Sequence, residues 1–366
     1  MAIEKIDIPR FLELYPRLPV FDVRSPGEFS HASIPGAYSL PLFNDEERKI
    51  VGTAYKQESR ERAIKIGLNF FGGKMSKIID DVTALVKEQN GNKSSPLYAV
   101  SSPNSKPALI VHCWRGGMRS AGVAWLLDLY GFKVFTITGG YKAFRKWVLQ
   151  SFEKDYNLAV LGGYTGSGKT EILSHLKSKG EIVIDLEGIA HHKGSAFGAL
   201  GMPAQPSQEM FENRLAADML KASAHDKMIW IEDESQRIGR INIPQPFWEM
   251  QRKKPVFFID IPFDDRLEFI TKNYGKQRKD ELAAAITRIQ KRLGPLETKT
   301  ALGFLLEDNI SECFSILLKY YDKLYKKGLA NRPENKQVIN IPCFKSGASE
   351  AAEAAIASKR TTYACT

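Results

Sequence analysis

The stretch Leu158-Ala159-Val160-Leu161-Gly162-Gly163-Tyr164-Thr165-Gly166-Ser167-Gly168-Lys169-Thr170 contains a short apolar strand, a glycine-rich turn and the start of a helical pattern. From Gly163 to Thr170 the spacing is G-x-x-x-x-G-K-T. In that context backbone N–H groups turn inward and cradle a di- or triphosphate. Lys169 neutralises the terminal oxygens, and the Thr170 hydroxyl is placed to meet Mg²⁺. The candidate phosphate-binding residues are therefore Gly163, Gly166, Ser167, Gly168, Lys169 and Thr170. A plain glycine-rich connector would leave Lys169-Thr170 unexplained. The motif does not say which nucleotide or diphosphate binds.

Downstream, Ile182–Ile184, Met228–Ile231 and Val256–Ile259 read as further buried strands. Each runs into acid: Asp185, then Glu232-Asp233, then Asp260. Ligands of open α/β sheets bind at the carboxyl ends of strands. Glu232 or Asp233 then stands near a metal, or the pair is an ordinary acidic strand end; both readings stay open. His191 and His192 are adjacent, a poor arrangement for one metal, and fit phosphate or RNA contact better, with a structural role for His191. Residues 280–330 read as helices. The domains expected are 1–150 and 151–345, with 346–366 a loosely held tail.

Upstream, residues 18–24 read as a strand and residues 34–42 as a turn into another. Residues 44–87 are helical and charged, and residues 90–107 form a polar, mobile loop. Ala108–Val111 is a strand ending at Cys113, a helix follows from Ser120 to Tyr130, and Val134–Thr138 is a strand closed by Gly139-Gly140. Alternation of this kind predicts an α/β fold with a parallel sheet and helices on both faces. The loop His112-Cys113-Trp114-Arg115-Gly116-Gly117-Met118-Arg119-Ser120 converges backbone N–H groups on one point, at a helix N-terminus. Arg115 and Arg119 add positive charge. A free thiol titrates near ~8.5, and such surroundings lower it. Cys113, with Arg115 and Arg119, is the candidate nucleophilic site.

A chain of 366 residues suits two domains, and its net charge of +10 fits a polyanionic partner, nucleic acid or an anionic membrane surface, and equally a solvated, lysine-rich surface. The four cysteines, Cys113, Cys313, Cys343 and Cys365, are scattered, which argues against disulfides and against a zinc site. No metal-ligand residues are therefore assigned. With no signal-peptide pattern at the N-terminus and no long apolar run, a cytoplasmic protein that does not enter a membrane is expected.

Around the cysteine loop the chain resembles rhodanese domains. The matching pieces are F-D-V-R-S-P-G-E-F (Phe21 to Phe29), I-P-G-A (Ile34 to Ala37) and T-G-G-Y-K-A-F (Thr138 to Phe144). The chain has Ala32-Ser33 where such domains carry Gly-His. Its loop, H-C-x-x-x-x-x-R, is one residue longer than that of the sulfur transferases and matches Cys-dependent phosphatases. With the second loop added, the chain resembles tRNA 2-selenouridine synthases, a rhodanese-like domain followed by a P-loop NTPase-like parallel-sheet domain with a helical C-terminal part. Further matching segments are Asn44 to Lys56, Asp185 to Gly198, Ile231 to Gly239 and Y-Y-D-K-L-Y (Tyr320 to Tyr325). His192-Lys193 replaces the more usual His-Arg.

The resemblance implies tRNA with wobble 2-thiouridine as substrate and selenophosphate as selenium donor. It also implies geranyl diphosphate, for an S-geranyl intermediate that selenium displaces, with Cys113 holding or delivering selenium as a selenylsulfide. No tightly bound cofactor is expected; Mg²⁺ is an option. Two alternatives stand beside it. One is a Cys-dependent phosphatase or a sulfurtransferase fused to a nucleotide-binding P-loop domain. The other is a non-enzymatic tRNA-binding module.

Overall fold

The computed structural model describes residues 3–91, 106–332, 338–343 and 347–363. The chain divides into two compact units, Met1–Ser151 and Phe152–Thr366, each built on a five-stranded sheet. In the first, β1 (Glu4–Ile6), β2 (Val20–Asp22), β3 (Tyr38–Ser39), β4 (Ala108–His112) and β5 (Lys133–Ile137) lie in the order β1-β5-β4-β2-β3. All four pairings are parallel. The central strand β4 is apolar from Ala108 to Val111 because a parallel sheet is covered on both faces. Leu109 and Val111 pack with Phe71, Val82, Val123 and Leu127 from the helices Arg60–Gly72, Met75–Gly91 and Met118–Tyr130. The polar segment read as a loop over residues 90–107 lies, from 92 to 105, outside the described residues.

In the second unit, β6 (Leu158–Gly163), β7 (Ile182–Ile184), β8 (Ile229–Glu232), β11 (Val256–Asp260) and β12 (Val338–Pro342) form a parallel sheet in the order β12-β11-β6-β8-β7. The short strands β9 (Arg237–Ile238) and β10 (Ile241–Asn242) make a separate antiparallel pair. A second apolar cluster, including Phe197, Ile286, Phe314 and Leu317, fills the helical part. In both units the strand carrying the motif is interior to its sheet, so the loop at its carboxyl end is flanked by neighbouring strands. Among the described residues no helix is long and apolar enough to cross a membrane.

Residues 346–366 were expected to be a loose tail, and the structure corrects this. They contain the helix Ala348–Tyr363, and its Ala351, Ala352 and Ala355 are fully buried with Ala159, Ile172 and Trp230. Each alanine carries little apolar surface, so the segment reads as weakly hydrophobic. The spacing i, i+1, i+4 nevertheless places all three on one helix face, and small side chains let that face approach closely. Lys179 and Lys359 pin the helix through Glu353 at 2.7 Å and through Glu181.

Candidate functional sites

Cys113 follows β4 directly and is 3% exposed. Its Sγ accepts the Gly117 N–H at 3.3 Å and lies 3.2 Å from Ser120 Oγ. Burial pushes the thiol up. Hydrogen bonds from the Ser120 hydroxyl and from the N–H groups of Ser120, Arg115 and Gly117 outweigh it, and the thiol sits below its ordinary value. The loop locks onto the Thr138-Gly139-Gly140 turn. A Cβ on Gly140 (φ +57) would lie 2.3 Å from the Cys113 carbonyl oxygen, and one on Gly116 (φ +65) would lie 2.5 Å from that of Ile137. The N–H groups of Tyr141 and Lys142 donate to the carbonyls of Cys113 and Trp114 at 2.9 and 3.0 Å.

The two arginines take different places. Arg115 is exposed. Arg119 donates to Glu28 Oε2 at 2.7 Å, and Arg48 meets the same oxygen at 3.0 Å. Burial pushes the Glu28 carboxyl up, but the hydrogen bond and charge of Arg119, the Ser25 N–H and Arg48 hold it at about 2. Arg119 thus braces the loop against the helix Pro26–His31, and the groups that meet the sulfur are backbone N–H groups and Ser120. Sequence reasoning missed Ser120 and Glu28, although both lie in quoted motifs. It also missed Arg24, which is 1% exposed. Arg24 Nε donates to Asp22 at 2.9 Å, and the guanidinium lies 3.8 Å from the Tyr141 ring centre, beneath the loop.

In the second unit the phosphate loop leaves β6 with Gly163, Gly166 and Gly168 at φ +156, +85 and +71. Lys169 Nζ donates back to the Gly163 carbonyl at 3.0 Å, and Ser167 Oγ is buried with no hydrogen-bond partner among the described residues. Thr170 Oγ1 donates to Glu187 Oε2 at 3.0 Å. The helix Ile310–Ala330 holds the loop at two points. Tyr325 OH accepts the Gly163 N–H at 3.1 Å and donates to Asp233 at 2.7 Å. Asp322 accepts both terminal nitrogens of Arg266 at 2.9 and 2.8 Å, while Arg266 donates to the Thr165 carbonyl at 3.0 Å. Y-Y-D-K-L-Y is therefore part of the site, a role that spacing alone gave no sign of.

The acidic strand end divides. Asp233 is held by Tyr325 and Arg332. Glu232 is fully buried and accepts the Leu186 N–H at 2.7 Å; burial, then the charges of Asp185 and Glu187, push its carboxyl well above the ordinary value. The carboxylate that reaches Thr170 is Glu187, from the segment after β7. Among the described residues no group of three or more His, Cys, Asp or Glu side chains could hold a metal ion. His191 closes the helix Leu186–Ala190 at φ +52, and its ring nitrogens meet the Ala204 carbonyl at 2.9 Å and Arg214 at 3.1 Å, a structural role. His192 is buried, and burial, then Arg288, lower its pKa.

The phosphate loop opens into a cavity of about 1810 Å³. One part of the wall is basic, with Arg237, Arg240, Arg252 and Arg288; another is apolar, with Phe269, Phe314, Leu317 and Tyr321.

A family model described as the tRNA 2-selenouridine synthase AAA domain matches residues 156–358, and one described as a rhodanese-like domain matches residues 11–146. The chain is 32% identical to a tRNA 2-selenouridine synthase of Nitrosomonas europaea, over 89% of this chain and 91% of that protein. The chain belongs to the tRNA 2-selenouridine synthase family. Other members named tRNA 2-selenouridine synthase are similar over comparable lengths. The one from Bdellovibrio bacteriovorus is 34% identical, over 91% of this chain and 94% of its own length. The one from Pseudomonas syringae pv. tomato is 36% identical, over 84% and 87%. Family membership confirms the resemblance read from the two loops. Cys113 falls in the segment matched as rhodanese-like, and Gly163–Thr170 in the segment specific to tRNA 2-selenouridine synthases.

Proposed function

We propose that the chain is a selenotransferase that replaces sulfur by selenium in the wobble 2-thiouridine of tRNA. Selenophosphate is the selenium donor, and the route passes through S-geranyl-2-thiouridine made with geranyl diphosphate. The observation that carries this reading is the presence, in one chain similar over most of its length to proteins of that name, of a cysteine loop whose hydrogen bonds favour thiolate and of a phosphate loop that opens into a large cavity. A thiocarbonyl sulfur is a poor leaving group, and alkylation makes it a good one. Lys169 and the N–H groups of Gly163–Thr170 would neutralise the departing diphosphate, and the apolar wall of Phe269, Phe314 and Leu317 suits a prenyl chain. Thr170 and Glu187 are the residues that would hold Mg²⁺ beside that diphosphate, where it would share the neutralisation of charge. Cys113 is the soft nucleophile of the selenium step. The net charge of +10 suits a tRNA partner, and the reaction belongs in the cytoplasm.

The test is mass spectrometry of wobble nucleosides after the chain is expressed in a strain lacking this activity. Appearance of 2-selenouridine is expected. Unchanged 2-thiouridine, with the protein folded and selenophosphate supplied, overturns the reading.

A further inference from the structure

We infer that Cys113 attacks the phosphorus of selenophosphate and not its selenium, so that the first unit carries a phosphatase-like activity cleaving P–Se bonds. This rests on the proposed function for the identity of the donor. The loop reads His112-Cys113, five residues, Arg119-Ser120, one residue longer than a sulfur-transferring loop. The Gly117 N–H donates to the sulfur at 3.3 Å, with the N–H groups of Arg115 and Ser120 also directed at it, and such a ring suits the three oxygens of a tetrahedral oxyanion. The Ser120 hydroxyl lies 3.2 Å from Sγ and can donate to it whenever it is thiolate.

The bookkeeping of electrons selects the same atom. Attack at phosphorus forms an Sγ–P bond and breaks the P–Se bond, whose electron pair leaves with selenium as hydroselenide, its proton coming from the donor or from water. Water then attacks phosphorus, expels the Cys113 thiolate and leaves as phosphate. No element changes oxidation state. The hydroselenide displaces geranyl thiolate from C2 of the modified base. Attack at selenium would instead form an S–Se bond and leave the electron pair on phosphorus, giving phosphite or requiring an oxidant.

The carboxyls around the loop explain why this substrate suits it better than a phosphate ester. An alkoxide leaving group needs a general acid. Glu28 is locked onto Arg119 and Arg48, and Asp22 is buried against Arg24; a guanidinium already occupies each of them. Hydroselenide, the conjugate base of an acid about as strong as a carboxylic acid, leaves without a proton donor.

The experiment incubates the full chain with ³²P-labelled selenophosphate and 2-thiouridine tRNA plus geranyl diphosphate, then quenches in acid. Phosphorus label on the Cys113 peptide, stable to dithiothreitol and lacking the selenium isotope pattern, is expected. Ser120→Ala should slow its discharge by about ten- to a hundredfold, because a hydrogen bond that stabilises the departing thiolate is lost. Cys113→Ser should carry no thiol-linked label. Selenium on Cys113 without phosphorus, released by dithiothreitol, overturns the inference. So does 2-selenouridine in the tRNA with no phosphorus label in either wild type or Ser120→Ala. Labelled Cys113 with unmodified tRNA supports the cleavage step and overturns the proposed function instead.

Discussion

The phenol of Tyr325 donates to Asp233 Oδ2 at 2.7 Å, and through the Gly163 N–H that the same oxygen accepts, it ties the helix Ile310–Ala330 to the first residue of the phosphate loop. Burial, then the Asp233 charge, push its pKa well above the ordinary phenol value, so it stays a donor throughout the working pH range. Tyr325→Phe leaves Gly163 N–H unpaired and Asp233 with Arg332 alone. Such a loss costs about 1–3 kcal/mol. The expected outcome is a lower Tm of the second unit and a larger rise in KM for the diphosphate than fall in kcat. Equal stability and unchanged KM would remove Tyr325 from the site.

Hydrogen bonds that oppose burial hold the Cys113 thiol below its ordinary value. Ultraviolet titration of the thiolate should place Cys113 below the other cysteines, whereas burial pushes Cys313 up to about 11. Ser120→Ala should move the Cys113 titration to higher pH. A titration that does not respond to Ser120→Ala would assign the stabilisation to the backbone N–H groups alone.

Two loops in two units predict separable losses. Lys169→Ala removes a charge from the phosphate cradle and should lower S-geranyl-2-thiouridine by about a hundredfold, with 2-selenouridine falling alongside. Cys113→Ser leaves the cradle intact, so the geranylated nucleoside should accumulate while selenation stops. Nucleoside analysis of cells carrying each variant reads both. If Cys113→Ser abolishes geranylation as fully as Lys169→Ala, the loops act in one step.

Glu232 gives a pH prediction. Its carboxyl is pushed up in the folded protein by burial, then by Asp185 and Glu187. Folding therefore takes up a proton at pH values above the ordinary carboxylate range, and stability falls as pH rises through that window. Glu232→Gln keeps an acceptor for the Leu186 N–H and offers Asp185 a donor. Calorimetry should show the variant melting higher at mildly alkaline pH, by about 2–4 °C per kcal/mol recovered, and the gap closing as pH falls toward that range. A gap that widens on acidification would reverse the assignment.

Deletion from Ala348 onward should destabilise the second unit, because Ala351, Ala352 and Ala355 cover Ala159, Ile172 and Trp230. Circular dichroism melting of the truncated chain should show a Tm lower by about 5 °C or more, at 2–4 °C per kcal/mol. An unchanged melt would show the helix to be dispensable.

The sequence by itself determined the two nucleating patterns. An apolar strand followed by a glycine-rich turn and a helix places Cys113 and Lys169 because those rules are local: period, chain reversal and N–H direction lie within a dozen residues. The spacing C-x-x-x-x-x-R-S, and the whole phosphate loop, could be read on the same terms. Tertiary structure decided what those loops are held by. Glu28 reaches Arg119 across 91 residues, and Tyr325 reaches Gly163 across 162. Such contacts depend on which helix packs on which strand end, which no short window of sequence encodes. The same holds for the choice of Glu187 over Asp233 beside Thr170, and for the burial of three alanines in a segment whose composition reads as a tail. One face of a weakly apolar helix becomes core only when a partner of matching shape is already there to receive it.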